Sequence, residues 1–320
     1  MKRLLLGYLF ILLCTASSFA QKEVYLKINH KLGDQAFAFN TSANSVDGQK
    51  FNLRRLEYYL SNIILVHDGG QMIKLTDTYL LVNGNATVNT NLGNFDITDL
   101  EEIRFAVGVN AEVNHNDPAS WPPSHPLYPK SPSMHWGWIA GYRFVAWEGQ
   151  SGTSLNQNME IHALSDENYL QQIIPTTGTL DGNTLTIELN ADYTQALKGI
   201  DVSQGVVNHS NEEEAAVIML NFAQHVFTSS EGNKAALNVR KADKINALVY
   251  PNPSKGAAML SLPDEGSTYH VNIYTLDGKS VKSYFTDESQ LELNQLGAGT
   301  YFISIQSEAG TSGSLTWINQ

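Results

Sequence analysis

Nine histidines are the side chains in this sequence best suited to holding a metal ion: His30, His67, His115, His125, His135, His162, His209, His225 and His270. Imidazole suits copper and zinc. The only cysteine, Cys14, lies inside an N-terminal apolar run that begins at Leu4. Once that run is removed no thiolate remains, and a blue-copper site is excluded. Spacing thins the list. His209 and His225 flank one expected helix, 16 residues apart, or about 24 Å along its axis, so they cannot share an ion. His270 belongs to a separate C-terminal segment. His30 continues the face of Val24, Leu26 and Ile28 and should point into the core or its rim. His162 alternates with Ile161 and Ala163 in an expected strand. His209 precedes Ser210 at the expected helix start, a constrained place that helps orient a ring. His67, beside Asp68-Gly69-Gly70, reads as a solvated hairpin tip. For His30, His162 and His209 taken singly, a hydrogen-bonded structural histidine is the expected reading.

The densest aromatic feature is Met134-His135-Trp136-Gly137-Trp138-Ile139-Ala140-Gly141-Tyr142. If extended, Met134, Trp136 and Trp138 face one way and His135 the other. Core packing and a site wall are both open to such a stripe.

The elements that must position these groups read mostly as strands. Val24 to His30 has period two. Phe51 to Ile64 mixes strand and helix spacing and stays ambiguous. Ile103 to Val109 and Tyr142 to Trp147 read as buried strands. Leu185, Ile187 and Leu189 alternate after the turn Asp181-Gly182-Asn183. One helix is expected from near Asn211 to near Phe227, with Ser210 and Glu213 as a capping box and Ala215, Ile218, Met219, Phe222 and Val226 on one face. Val113 to Ser133 carries six prolines and should be a long loop holding His115 and His125, because proline breaks both regular elements.

Composition sets the frame. The 320 residues are 42% hydrophobic and 16% charged, which argues against disorder. A formal net charge of −12 disfavours nucleic acid and anionic lipid. Lys2 and Arg3, the run Leu4 to Leu13, and Ser18-Phe19-Ala20 form a signal peptide over residues 1–20, too short to span a bilayer. No stable transmembrane anchor is expected. Residues 21–228 then read as one large β domain, 229–244 as a polar linker, and 245–320 as a small β-sandwich.

That last segment resembles the type A C-terminal sorting domain of the type IX secretion system of Bacteroidota. The resemblance rests on Tyr250-Pro251-Asn252-Pro253, on Ile273-Tyr274-x-Leu276-x-Gly278-Lys279, and on Leu296-x-x-Gly299-x-Tyr301. It implies an immunoglobulin-like fold, the type IX secretion machinery as partner, and a secreted or surface-attached protein.

The large domain resembles MbnP-like proteins, the family of the methanobactin-associated periplasmic copper protein. Gly48-x-x-Phe51-x-Leu53-x-x-Leu56-x-Tyr58-Tyr59-Leu60-Ser61-Asn62-Ile63, Met134-x-Trp136-x-Trp138-x-x-Gly141-Tyr142 and then His162 carry the resemblance. It implies a mainly β protein, a β-sandwich with long loops, binding one copper ion through histidines and a tryptophan oxidised to kynurenine by a di-haem enzyme. Carried over, Trp136 or Trp138 is the residue to be oxidised, and His162, His30 and His209 are the ligands. Kynurenine supplies an aromatic amine and a carbonyl that indole lacks.

Two other functions compete. Trp121, Trp136, Trp138 and Trp147 are candidate stacking platforms for a glycan- or protein-binding module. A hydrolase finds no Gly-x-Ser-x-Gly elbow, no His-Glu-x-x-His and no cysteine nucleophile, so no enzymatic activity is expected.

Overall fold

The computed structural model describes residues 21–230, 245, 247–263, 268–276, 279–307 and 312–320. The expected signal peptide and most of the expected linker lie outside these residues.

Two sheets enclose the larger core. The first is built on Lys22–Leu32, which pairs in parallel with Thr184–Asp192 and antiparallel with Val88–Phe95. The second runs in the order Leu170–Pro175, Leu100–Val107, Lys50–His67, Val145–Ser151, Gln157–Ala163, Val206–Ser210. Val24, Leu26 and Ile28 from one sheet meet Leu56, Tyr58, Trp147 and Ile161 from the other in one buried cluster. Lys22–Leu32 and Thr184–Asp192 give alternate side chains to that cluster, as period two requires.

Lys50–His67 is a single 18-residue strand. Its helix-like spacing in sequence comes from burial on both faces, which erases alternation. On the outer face Tyr59 donates to Pro126 O, and Tyr142 donates to Leu127 O at 2.7 Å. The proline-rich loop is thereby pinned over the sheet; beyond the end of the short helix Ala111–Asn114 it carries a 3₁₀ turn, Pro118–Ser120.

Three expectations need correction. The helix runs Glu213–Asn221 and closes with a π-turn over Phe222–Val226, but no capping box forms. Ser210 ends a strand instead, and its hydroxyl accepts from Glu212 N, because pairing with Ala163 holds it in the sheet. The strand expected from Tyr142 starts at Val145, since Gly141, at φ 72°, and the loop before it turn the chain first. Ser229 belongs to the strand Phe227–Ser229 rather than to a linker.

In the C-terminal segment, a three-stranded sheet (Leu248–Tyr250, Ala258–Ser261, Gln290–Leu293) and a four-stranded sheet (Tyr269–Thr275, Ser280–Thr286, Gly299–Ser307, Ser312–Asn319) share a second core around Val271, Ile273, Ile303 and Trp317. This is the expected small sandwich. Residues 277 and 278 of its expected turn lie outside the described residues.

Candidate metal centre

The outward face of the second sheet carries the site. Gln157–Ala163 sends Met159, Ile161 and Ala163 into the core, so Glu160 and His162 point out. The edge strand Val206–Ser210 lies parallel beside it, with His209 opposite His162. On the other side Glu148 lies opposite Glu160, and Arg55 opposite Glu148. Four strands thus bring Arg55, Glu148, Glu160, His162 and His209 to one face.

The imidazoles of His162 and His209 stack with ring centres 4.4 Å apart and planes 13° from parallel. Glu160 Oε1 lies 2.9 Å from His209 Nε2 and 3.7 Å from His162 Nε2. One ligand atom from each of Glu160, His162 and His209 falls within 4.8 Å of the others. A tetrahedral ion with bonds near 2 Å needs donors about 3.3 Å apart, so small side-chain rotations close the set around an ion. The donors are nitrogen and oxygen, which suits copper or zinc.

His162 is buried and both its nitrogens are engaged. Arg143 Nε donates to Nδ1 at 3.3 Å, and Nε2 meets Glu148 Oε1 at 2.9 Å. Nδ1 is therefore the acceptor, and the neutral ring carries its proton on Nε2. Glu148 also takes 2.7 Å hydrogen bonding from Arg55 Nη1. The His162 bond first, and Arg55 with it, pull the Glu148 carboxyl down to about 2 against the opposing effect of burial. Burial, and then the adjacent His162 ring, hold His209 below the ordinary histidine value.

Trp136 closes the site. Its ring centre is 5.5 Å from His162 and 4.8 Å from His209. The chain reverses just beyond it: Gly141 N donates to Gly137 O, Trp136 N donates to Gly141 O, and Arg143 N donates to Met134 O. Gly137 and Gly141 have φ of 92° and 72°, where a Cβ is strained. This reversal sets Arg143 over the Trp136 ring, 4.3 Å from its centre.

The remaining candidates go elsewhere. His30 is not in the cluster. Its Nδ1 meets Tyr193 Oη at 2.5 Å and its Nε2 meets Ala86 O at 3.0 Å, at the rim of the core. Trp138 sits at the tip of the reversal, 71% exposed, and offers only its carbonyl to His115. The expected common face of Met134, Trp136 and Trp138 does not form, because the segment is a loop: Met134 is buried while Trp136 is 39% exposed. His67 is buried and paired with Asp68, not solvated. Sequence reading missed Glu160, Glu148, Arg143 and Arg55. Glu160 had a signal, the Glu-x-His spacing that puts both on one side of a strand. The other three depend on strand register and on the loop.

Residues 21–217 match the family model described as MbnP, and residues 248–317 match that of the secretion system C-terminal sorting domain. Among solved structures, MbnP from Methylosinus trichosporium is similar at 16% identity, covering 57% of this chain and 80% of that one, with a TM-score of 0.42. The rat CD45 extracellular region, domains d3–d4, is similar at 13% identity over 23% of this chain and 48% of that one, with a TM-score of 0.21. No curated protein sequence matches the chain.

Proposed function

Since the chain belongs to the MbnP family and carries a secretion-system sorting domain behind that region, we propose that it is an exported copper-binding protein that takes up or buffers the metal outside the cell. The sorting domain indicates export to the cell surface or extracellular space, and among the described residues no helix is long and apolar enough to cross a membrane. The observation supporting a metal is the convergence of Glu160, His162 and His209. These residues would hold the ion, with no thiolate beyond the expected signal peptide, whose Cys14 is the only cysteine. The bound ion would supply a cationic redox centre. The residues around it would orient the imidazoles and limit water on the Trp136 side. The protein acts as a binder rather than an enzyme in this reading.

Trp136, and not Trp138, is the indole placed beside the imidazoles, so oxidation to kynurenine by a di-haem enzyme is assigned to Trp136. Mass spectrometry of the peptide containing Trp136, from protein secreted by its native host, tests that step. An unmodified indole there would overturn it.

The test of the binding reading is copper stoichiometry of the mature protein and of His162→Ala and His209→Ala. One ion is expected in the parent and none in either variant; unchanged stoichiometry in both would reject the site. The glycan-platform reading lacks a row of rings: Trp147 is fully buried, and Trp121 stacks on His125 at 4.1 Å.

A further inference from the structure

We propose that Arg143 is the displaceable counter-cation of this site, and that a divalent metal ion enters only as its guanidinium leaves His162. The proposal deepens the metal-binding reading and rests on it.

The argument starts at one ring. Arg143 Nε–H points at His162 Nδ1. An ion held by Nε2 leaves the ring proton on Nδ1, where it would meet the Arg143 N–H donor to donor. An ion held by Nδ1 instead needs the place the guanidinium occupies. Through either nitrogen, the arginine and the ion exclude each other. A metal-bound imidazole also needs an acceptor for its other N–H, and Arg143 has no acceptor to offer.

Charge points the same way. Glu148 and Glu160 both lie against His162, at 2.9 and 3.7 Å. Arg143 is the cation on this side of the ring, and Arg55 serves Glu148 and Glu57 from the other. A divalent ion takes over the counter-charge when the guanidinium goes. Two carboxylate neighbours and no thiolate favour the divalent state over a soft monovalent ion. Met134, the nearby thioether, is buried with its Sδ against Arg55 Nη2.

The anchors of Arg143 allow such a movement. It is partly exposed, donates from Nη1 to Ser133 O, and otherwise rests on the Trp136 face. Loss of two hydrogen bonds, to His162 Nδ1 and Ser133 O, and of one cation–π contact frees it.

The experiment compares Zn2+ and Cu2+ binding by titration calorimetry in the full mature chain and in Arg143→Met, which keeps the length and removes the charge and donor. Affinity should rise at least about tenfold in the variant, as expected when a like charge a few ångströms away is removed. An affinity that is unchanged or lower overturns the proposal while leaving the metal reading intact. No binding by either protein overturns both. A second measurement needs no variant: in 15N NMR, the Arg143 Nε–H resonance should shift on Zn2+ addition as its partner is lost. A resonance that stays in place while zinc binds overturns the proposal.

Discussion

His162 and His209 are direct neighbours across a parallel strand pair, and their rings stack 4.4 Å apart. Parallel pairing at a sheet edge fixes this distance through backbone hydrogen bonds rather than through a flexible loop. The two imidazoles are thus set in place before any ion arrives.

The two histidines should differ in what they do for stability. His162→Ala removes a buried ring and leaves Glu148 without its imidazole partner, so a loss of about 1–3 kcal/mol is expected. His209→Ala, at the half-exposed edge, should cost less. Urea unfolding checks the difference, and metal titration should show both variants equally deficient.

Metal affinity should be level above the ordinary histidine range and fall below about pH 6.5, where protons compete for the rings. The lowered proton affinity of His209 shifts its part of that fall to more acid pH. Glu148, held at about 2, stays charged throughout the fall and adds no slope. Titration calorimetry between pH 5 and 8, a range set to bracket the histidine value, follows it directly.

His30 should matter for folding and not for metal. Its ring joins the hydroxyl chain of Tyr193 and Tyr58, both buried. His30→Ala is expected to cost about 1–2 kcal/mol and leave metal stoichiometry unchanged. Loss of the ion in that variant, with the fold retained by circular dichroism, would contradict the placement of the site.

The C-terminal sandwich carries its own acid sensitivity. His270 stacks on Phe285 at 4.2 Å, and burial lowers its pKa to about 4. A histidine whose folded pKa lies below its unfolded value of about 6.5 favours folding in its neutral form. Its contribution is complete above about pH 6.5 and is lost as pH falls toward about 4. Calorimetric scans of the full chain at pH 7 and 4.5 should show the later segment losing stability, and His270→Gln should flatten that dependence.

The sandwich and its main strands were legible because the side chains of Lys22–Leu32 and Thr184–Asp192 alternate cleanly against one core. Lys50–His67 was not, since the proline-rich loop buries its second face. His162 was legible as a strand residue. The spacing of Ser210 and Glu213 imitates a helix cap beside His209, while the short strand Val206–Ser210 is defined only by its neighbour. Arg143 and Glu148 depend on contacts across distant parts of the chain, and local spacing holds no record of those. His30, grouped with the other two by the family resemblance, continues the face of Val24, Leu26 and Ile28 but belongs to the opposite sheet, against Tyr193.

The candidate metal donors and the core residues occupy alternate positions of the same strand, with Glu160 and His162 interleaved among Met159, Ile161 and Ala163. The two properties are therefore separable in evolution. Substitution at Glu160 or His162 can change the chemistry of the outward face while the interleaved apolar residues continue to specify the same sandwich core beneath. In this strand the fold is written in the inward-facing half and the candidate chemistry in the other half.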